Sequence, residues 1–512
     1  MDLSRSSGIL LPLNSLPGIY GIGTIGSPAF EFIDFLRNAG QTYWQICPWG
    51  HVGKDNSPYI CFSAYAGNPY LIDLFSLVKE GFLNKDQVET IRSDSTRINY
   101  SKLKPAIDHL LKITFTNFQK SSSKVVKKQF EQFIKQNDSW LIDYARFMSL
   151  HFYFKGITWN NWPKDIKFRE KKALHFYDIL LRDEILFYQF VQFIFDRQWK
   201  NLKSYAQKQG IKIIGDVPIF LSYESADVWS NPKQFLLDKN LKPTHIAGVP
   251  PDYFSKTGQL WGNPLYDWKF MKKDKFRWWI NIFKHLTKQY DVTRIDHFRG
   301  FCAYWKIKNG APNAIKGKWE KANGKEMFNF LFKELKTAPF IAEDLGVITK
   351  DVIDLKNELS LPGMSILQFA FDKKERQHIL PYSLTKDSVV YTGTHDNDTV
   401  KGWFDTLPKD DQHFVLQYLQ TNKKQISKAF IIEALKSPCI LSIIPAQDLL
   451  NLGSESRINV PGIYTNIYRW KLDIKLFKKL KTDVEKDLYF QTALYQRMNQ
   501  VSCVSKKPKD KL

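Results

Sequence analysis

Short runs of β-branched and aromatic residues that end in polar or acidic side chains recur along the chain, each separated from the next by a helix-length amphipathic stretch. That alternation is the signature of a parallel α/β fold. The candidate strands are Gln41 to Trp49, Ile211 to Phe220, Asp291 to Asp296, Phe340 to Glu343, Met364 to Phe371, Val389 to Thr394 and Cys439 to Ile444. Tyr70 to Leu74 is the candidate for an eighth, which would complete a (β/α)8 barrel.

The barrel is expected to begin near the N-terminus. Phe30, Ile33, Phe35 and Leu36 put an apolar face on Ala29 to Asn38, and Gly40 supplies the stop. Residues 75 to 202 are long, charged and helix-like, with aromatics at Tyr144, Phe147, Phe152, Tyr153 and Phe154. A connection of that length reads as an inserted helical subdomain, and its aromatic stripe as packing. The 512 residues are therefore expected to form a single barrel carrying this insertion, with 503 to 512 as a disordered, lysine-rich tail.

Apolar content of 43% and charged content of 25% suit an ordinary globular protein. The formal charge of +22 raises the question of nucleic acid, but the lysines are scattered singly or in pairs such as Lys127-Lys128 and Lys272-Lys273. No nucleic-acid module surrounds them, so a solvated basic surface is the expectation. The five cysteines, Cys47, Cys61, Cys302, Cys439 and Cys503, lack C-x-x-C spacing, which points away from a disulfide framework or a zinc site. Without a signal pattern or a run of roughly 20 apolar residues, the expected location is the cytoplasm, with no membrane partner.

Several candidate strands end in carboxylates: Gly215-Asp216, Arg294-Ile295-Asp296, Ala342-Glu343-Asp344 and Thr394-His395-Asp396. The C-terminal ends of barrel strands converge on one face, so acids far apart in sequence can meet there. One acid alone is as well explained as a helix cap or ion-pair partner; four at the same structural step suggest an acidic site. Glycosidic bond cleavage needs one carboxylate as nucleophile and a second, kept protonated, as acid toward the leaving oxygen. Arg294 and Asp296, two apart on a strand, share a face, so Arg294 can hold Asp296 ionised, whereas Glu343 and Asp344 must point oppositely. The residues by themselves leave Glu343 and Asp344 as alternatives, and likewise Asp396 and Asp398.

The blocks Arg294 to Phe301, Ile341 to Gly346 and Thr392 to Thr399 resemble the strand-end motifs of amylomaltases, also called disproportionating enzymes. Ser7 to Pro12, Ser57-Pro58-Tyr59, Ser63 to Asp73, Gly215 to Trp229, Gly248 to Ser255, Gly258 to Pro264 and Leu452 to Glu455 agree in order and spacing, so the resemblance runs from about residue 5 to about residue 470. As a set these motifs are specific; any one alone would be weak.

The resemblance implies a barrel of the alpha-amylase superfamily with Asp296 as nucleophile, Glu343 as acid/base and Asp396 as the acid that stabilises the transition state. It further implies substrate-binding roles for Arg294, His297 and His395, support of Arg294 by Asp216, and Tyr59 at the acceptor side. Asp252 to Trp261 resembles the family's mobile loop, with Asp252, Tyr253, Phe254, Gln259 and Trp261 contributing to glucan binding. Read without the family, Asp216 is a turn residue before Pro218 and the loop a packed surface turn. The implied activity is transfer of alpha-1,4-glucan segments among maltooligosaccharides, glucose and longer alpha-1,4-glucans, with no metal or organic cofactor. The competing readings are an alpha-amylase-like hydrolase and a non-catalytic glycan-binding protein.

The chain also departs from the family pattern. Ile60 and Cys61 follow Tyr59 where Gln-Ser is common, Leu260 replaces a common Arg, and Ile463 and Ile467-Tyr468 replace the usual Thr and Asn-Trp.

Overall fold

The computed structural model describes residues 4–251, 255–335, 339–371 and 380–498. The expected tail at 503–512 and the loop residues Asp252, Tyr253 and Phe254 lie outside the described residues. Eight strands form one parallel sheet: β1 (Ser6–Leu10), β2 (Tyr43–Gln45), β3 (Lys212–Val217), β4 (Val292–Ile295), β5 (Phe340–Ala342), β6 (Gly363–Ile366), β7 (Ser388–Tyr391) and β8 (Leu441–Pro445). Their order is β6-β7-β8-β1-β2-β3-β4-β5. The two end strands are drawn together where the Ala342 N–H donates to the Pro362 carbonyl at 2.9 Å, which curls the sheet into a nearly closed (β/α)8 barrel.

The eighth strand is β1, not the segment Tyr70 to Leu74. Pro69 and two side-chain caps make that segment helical: Asn68 accepts from the Tyr70 N–H at 3.2 Å and Asp73 from the Ser76 N–H at 2.9 Å. A 3-10 turn over Pro69–Leu71 and a helix over Leu74–Lys79 result. β1 lies between β8 and β2 with all five residues buried, including Ser6 and Ser7, so it lacks the outward run of β-branched residues that marked the other strands.

The first helix, α1 (Ser27–Asn38), buries Phe32, Ile33, Phe35 and Leu36 and packs Phe32 edge-on against Trp44 at 5.1 Å. Between β2 and β3 the long helices are Tyr100–Ser121, Lys124–Gln136, Asp138–Tyr153 and Arg182–Lys208. The last of these packs on Asp138–Tyr153 and also reaches α1 and β3, tying the helical region to the barrel. Tyr144 and Phe147 are core residues, but Phe152 and Tyr153 are exposed; Lys112 lies over the Phe152 ring at 4.4 Å.

The loops leaving β3 and β4 build a second, antiparallel sheet in the order Gln259–Pro264, His245–Val249, Ala303–Lys308, Gly317–Lys321. It places Gln259 and Trp261 on a strand rather than in a loop, because Val249 pairs with Gln259 and Gly248 with Leu260. Among the described residues no helix is long and apolar enough to cross a membrane.

Candidate active site

Asp216 is the penultimate residue of β3, Arg294 lies within β4, and Asp296, Glu343 and Asp396 follow the ends of β4, β5 and β7. All five therefore gather at the C-terminal mouth of the barrel. β3 and β4 run in register with Asp216 opposite Arg294. The approach is tight: a Cβ on Gly215 would sit 2.1 Å from the Tyr290 ring, so only glycine fits directly before Asp216.

One guanidinium nitrogen organises the floor of the site. Arg294 Nη1 donates to Asp216 Oδ2 at 2.7 Å and to Asp296 Oδ1 at 2.9 Å, and Asp216 Oδ2 also accepts the Tyr59 hydroxyl at 2.7 Å. Arg294 and Asp216 are buried, while the Asp296 side chain keeps 27% of its surface open. Burial works against the Arg294 charge, but the two carboxylates outweigh it and hold the guanidinium proton more firmly than usual. Tyr59 in turn stacks on the His395 ring, 5.3 Å between centroids and 10° apart in plane.

Glu343 is held differently. His297 takes the left-handed conformation (φ 49°), and its N–H donates to Glu343 Oε2 at 2.6 Å; the Leu345 N–H donates to Oε1 at 3.0 Å. Among the described residues these two backbone donors are its hydrogen-bond partners, with no cation in direct contact. Burial, with Asp296 nearby, pushes the Glu343 carboxyl up to about 8. Burial raises Asp216 and Asp296 as well, but both touch Arg294. A cluster of several acids around one arginine keeps a proton at neutral pH, and the acid without a cation in contact is where it sits.

Asp396 completes the set. Its Oδ1 accepts from Asn459 Nδ2 at 2.6 Å, its Oδ2 lies 3.4 Å from His395 Nε2, and its backbone carbonyl accepts from Arg457 Nη2 at 2.7 Å. Burial lowers the His395 pKa, which favours the neutral ring.

Geometry places the alternatives left open by the residues alone on different sides of the cleft wall. Asp344 turns away from the cleft to accept from Lys356 Nζ at 2.6 Å and from the Met364 N–H at 2.7 Å. Asp398 is engaged outside the cleft, accepting from the Thr399 N–H at 2.7 Å and the Ser454 hydroxyl at 2.7 Å, while Thr399 caps the next helix. Glu343 and Asp396 instead line a cleft of about 280 Å³ together with Arg294, Asp296, His297 and His395.

Tyr59, Gln259 and Trp261 line the same cleft, Trp261 packing edge-on against His297 at 4.9 Å. Asp216 lies beneath it, reached through Tyr59 and Arg294. The atypical residues Ile60, Ile463, Ile467 and Tyr468 are on its walls too. Leu260 turns its side chain to a small cluster with Ile246 and Ile307, and its carbonyl accepts the Tyr464 hydroxyl at 2.8 Å. Sequence reasoning missed Asn459 and Arg457. Their only local signal is a polar pair just ahead of Pro461-Gly462, a pattern that any surface turn could carry.

The sequence profile of the 4-alpha-glucanotransferase family matches residues 11–477. The chain is 42% identical over 490 residues to the 4-alpha-glucanotransferase of Clostridium butyricum, covering 95% of this chain and 99% of that protein. It is 42% identical over 480 residues to that of Thermus thermophilus, covering 92% and 95%. Among solved structures it is similar to the amylomaltase from Streptococcus agalactiae in complex with acarbose, at a TM-score of 0.93 and 36% identity over 96% of this chain and all of that one.

Proposed function

The chain belongs to the 4-alpha-glucanotransferase family and has that activity, and from this premise we propose a retaining double displacement carried by Asp296, Glu343 and Asp396. The observation that carries the assignment is the contrast between two carboxyls: Asp296 touches Arg294, whereas Glu343 is buried with no cation in contact among the described residues, and burial raises it to about 8 although two backbone N–H donors favour its charged form. The first is suited to act as the ionised nucleophile and the second as the protonated acid.

In the first half-reaction a carboxylate oxygen of Asp296 bonds to the anomeric carbon while the glycosidic C–O bond breaks. The leaving 4-oxygen takes the proton of Glu343. In the second half-reaction the 4-OH of an acceptor glucose or glucan returns its proton to Glu343, and its oxygen displaces Asp296. Asp396 is held by Asn459 and flanked by His395 to face the sugar ring as positive charge develops on it. Tyr59, His297, His395, Gln259 and Trp261 provide binding contacts, Asp216 orients Arg294 and Tyr59, and Asp252, Tyr253 and Phe254 belong to the same segment as Gln259. Maltooligosaccharides, glucose and alpha-1,4-glucans are the proposed partners. The four described cysteines are free thiols, in keeping with a cytoplasmic location.

Incubation with maltotriose tests the reading. Transfer releases glucose while longer maltooligosaccharides accumulate, with the number of reducing ends unchanged. Accumulation of shorter sugars alone, with one new reducing end per bond broken, would make the protein a hydrolase.

A further inference from the structure

Asp448 stands on the helical turn Ala446–Leu449 that follows β8, and it is 2% exposed. Its two oxygens hold separate places in the chain. Oδ2 accepts the Thr392 hydroxyl at 2.6 Å, directly after β7 ends, and Oδ1 accepts from the N–H of Val400 at 2.8 Å, the first residue of the helix Val400–Thr406. Between these two residues runs the loop that carries His395 and Asp396. One carboxylate thus pins both ends of that loop, which stand no farther apart than a carboxyl group and two hydrogen bonds.

The loop between the pins is braced within itself and from outside. Asn397 Oδ1 accepts from both the N–H and the hydroxyl of Thr394 at 2.9 Å. Gln368 Nε2 donates to the Asp398 carbonyl at 2.8 Å, and the Asn459 N–H donates to the His395 carbonyl at 3.1 Å. A segment braced in this way moves as a unit, and its tilt is set at its two ends. Burying a carboxylate at those ends is costly and is offset only by the donors it engages, whereas an apolar side chain would fill the space without that cost. The acid is therefore suited to holding the loop rather than to filling the core.

We propose that Asp448 is a positioning residue for glucan transfer, a clamp on the loop from Thr392 to Val400 that sets where Asp396 meets the sugar ring. The proposal rests on the role given to Asp396 above. Buried away from the substrate, Asp448 acts only through that acid, and displacing a preorganised group by about 1 Å costs on the order of a hundredfold in rate.

Two substitutions separate clamping from packing. Asp448→Ala removes both bonds and should lower kcat for maltotriose about a hundredfold, with KM changed much less. Asp448→Asn should return kcat to within about tenfold of wild type, because its amide oxygen can still accept from the Val400 N–H while its NH2 donates to the Thr392 oxygen. Added to Asp396→Asn, Asp448→Ala should cost no more than about a further twofold in kcat/KM. A merely structural defect lowers the active fraction whatever residue stands at 396, so an equal factor lost in both backgrounds would overturn the clamp, as would equal losses in Asp448→Ala and Asp448→Asn. If Asp448→Ala does not fold, Thr392→Val removes one pin at constant volume and should lose about tenfold in kcat/KM in the wild-type background and nothing further after Asp396→Asn; full activity of Thr392→Val would also overturn the clamp. Full activity of Asp396→Asn itself would overturn the role given to Asp396, and the proposal with it.

Discussion

Glu343 and Asp344 leave the end of β5 in opposite directions, Glu343 toward the cleft beneath the N–H groups of His297 and Leu345, Asp344 outward to Lys356 and the Met364 N–H. Two adjacent acids therefore fail differently when neutralised. Glu343→Gln should abolish transfer from maltotriose while the protein stays folded. Asp344→Asn should retain transfer but lose about 1–3 kcal/mol of stability, the cost of weakening a partly buried charged hydrogen bond. Urea denaturation beside a glucose-release assay separates the two; inactive but fully stable Asp344→Asn would reverse the assignment.

The nucleophile and the acid are separable with an activated donor. Asp296→Asn should form no glycosyl-enzyme with any donor. Glu343→Gln should still react with alpha-maltotriosyl fluoride, whose leaving group needs little protonation, and then stall because no base activates the acceptor. Mass spectrometry of digested Glu343→Gln should show the adduct on the peptide containing Asp296. An adduct on another carboxylate would show the roles wrongly placed.

With Glu343 raised to about 8, the free protein holds the required proton through neutral pH. kcat/KM for maltotriose should stay level there and fall as pH rises beyond about 8. On the acid side it should fall as Asp296 takes up a proton. An alkaline limb centred near the ordinary glutamic acid value would contradict the arrangement around Glu343.

The same group links pH to folding. Between its ordinary value of 4.5 and about 8, native Glu343 holds a proton that the unfolded chain has lost. Its stabilising contribution is thus complete below the lower value and is lost as pH rises through the upper one. Glu343→Gln removes that dependence. Relative to wild type, the variant should gain stability on going from pH 4.5 to pH 9, read by chemical denaturation at both. A difference that does not change with pH would refute this.

Asn459 donates at 2.6 Å to the acid proposed to face the developing charge. Asn459→Ala should lower kcat on the order of a hundredfold, the scale found for loss of one preorganised donor, with KM changed much less. A double variant Asn459→Ala/Asp396→Asn that loses no more kcat/KM than Asp396→Asn alone would show that Asn459 acts through Asp396; additivity of the two single losses would mean that Asn459 acts elsewhere.

The acids were legible in the sequence because a strand end fixes where a residue sits in a barrel whatever its neighbours are, and because Arg294 and Asp296 are two apart on one strand. Which of two adjacent acids faces the cleft was not legible. That depends on Lys356 and the Met364 N–H, 12 and 20 positions downstream. The antiparallel sheet was hidden for a similar reason: Gln259 and Trp261 sit on a strand because Val249 and Gly248 pair across to them, which local pattern does not announce. β1 escaped notice because its two serines are buried in the barrel rather than solvated.

The barrel has a seam. β5 and β6 end the strand order without ladder pairing between them, and the bonds across the join include the Ala342 N–H to Pro362 and the Asp344 carboxylate to the Met364 N–H. The residue next to that stitch is Glu343, so the strand end that aims the acid at the cleft is tied to the following strand by hydrogen bonds through its two neighbours, Ala342 and Asp344.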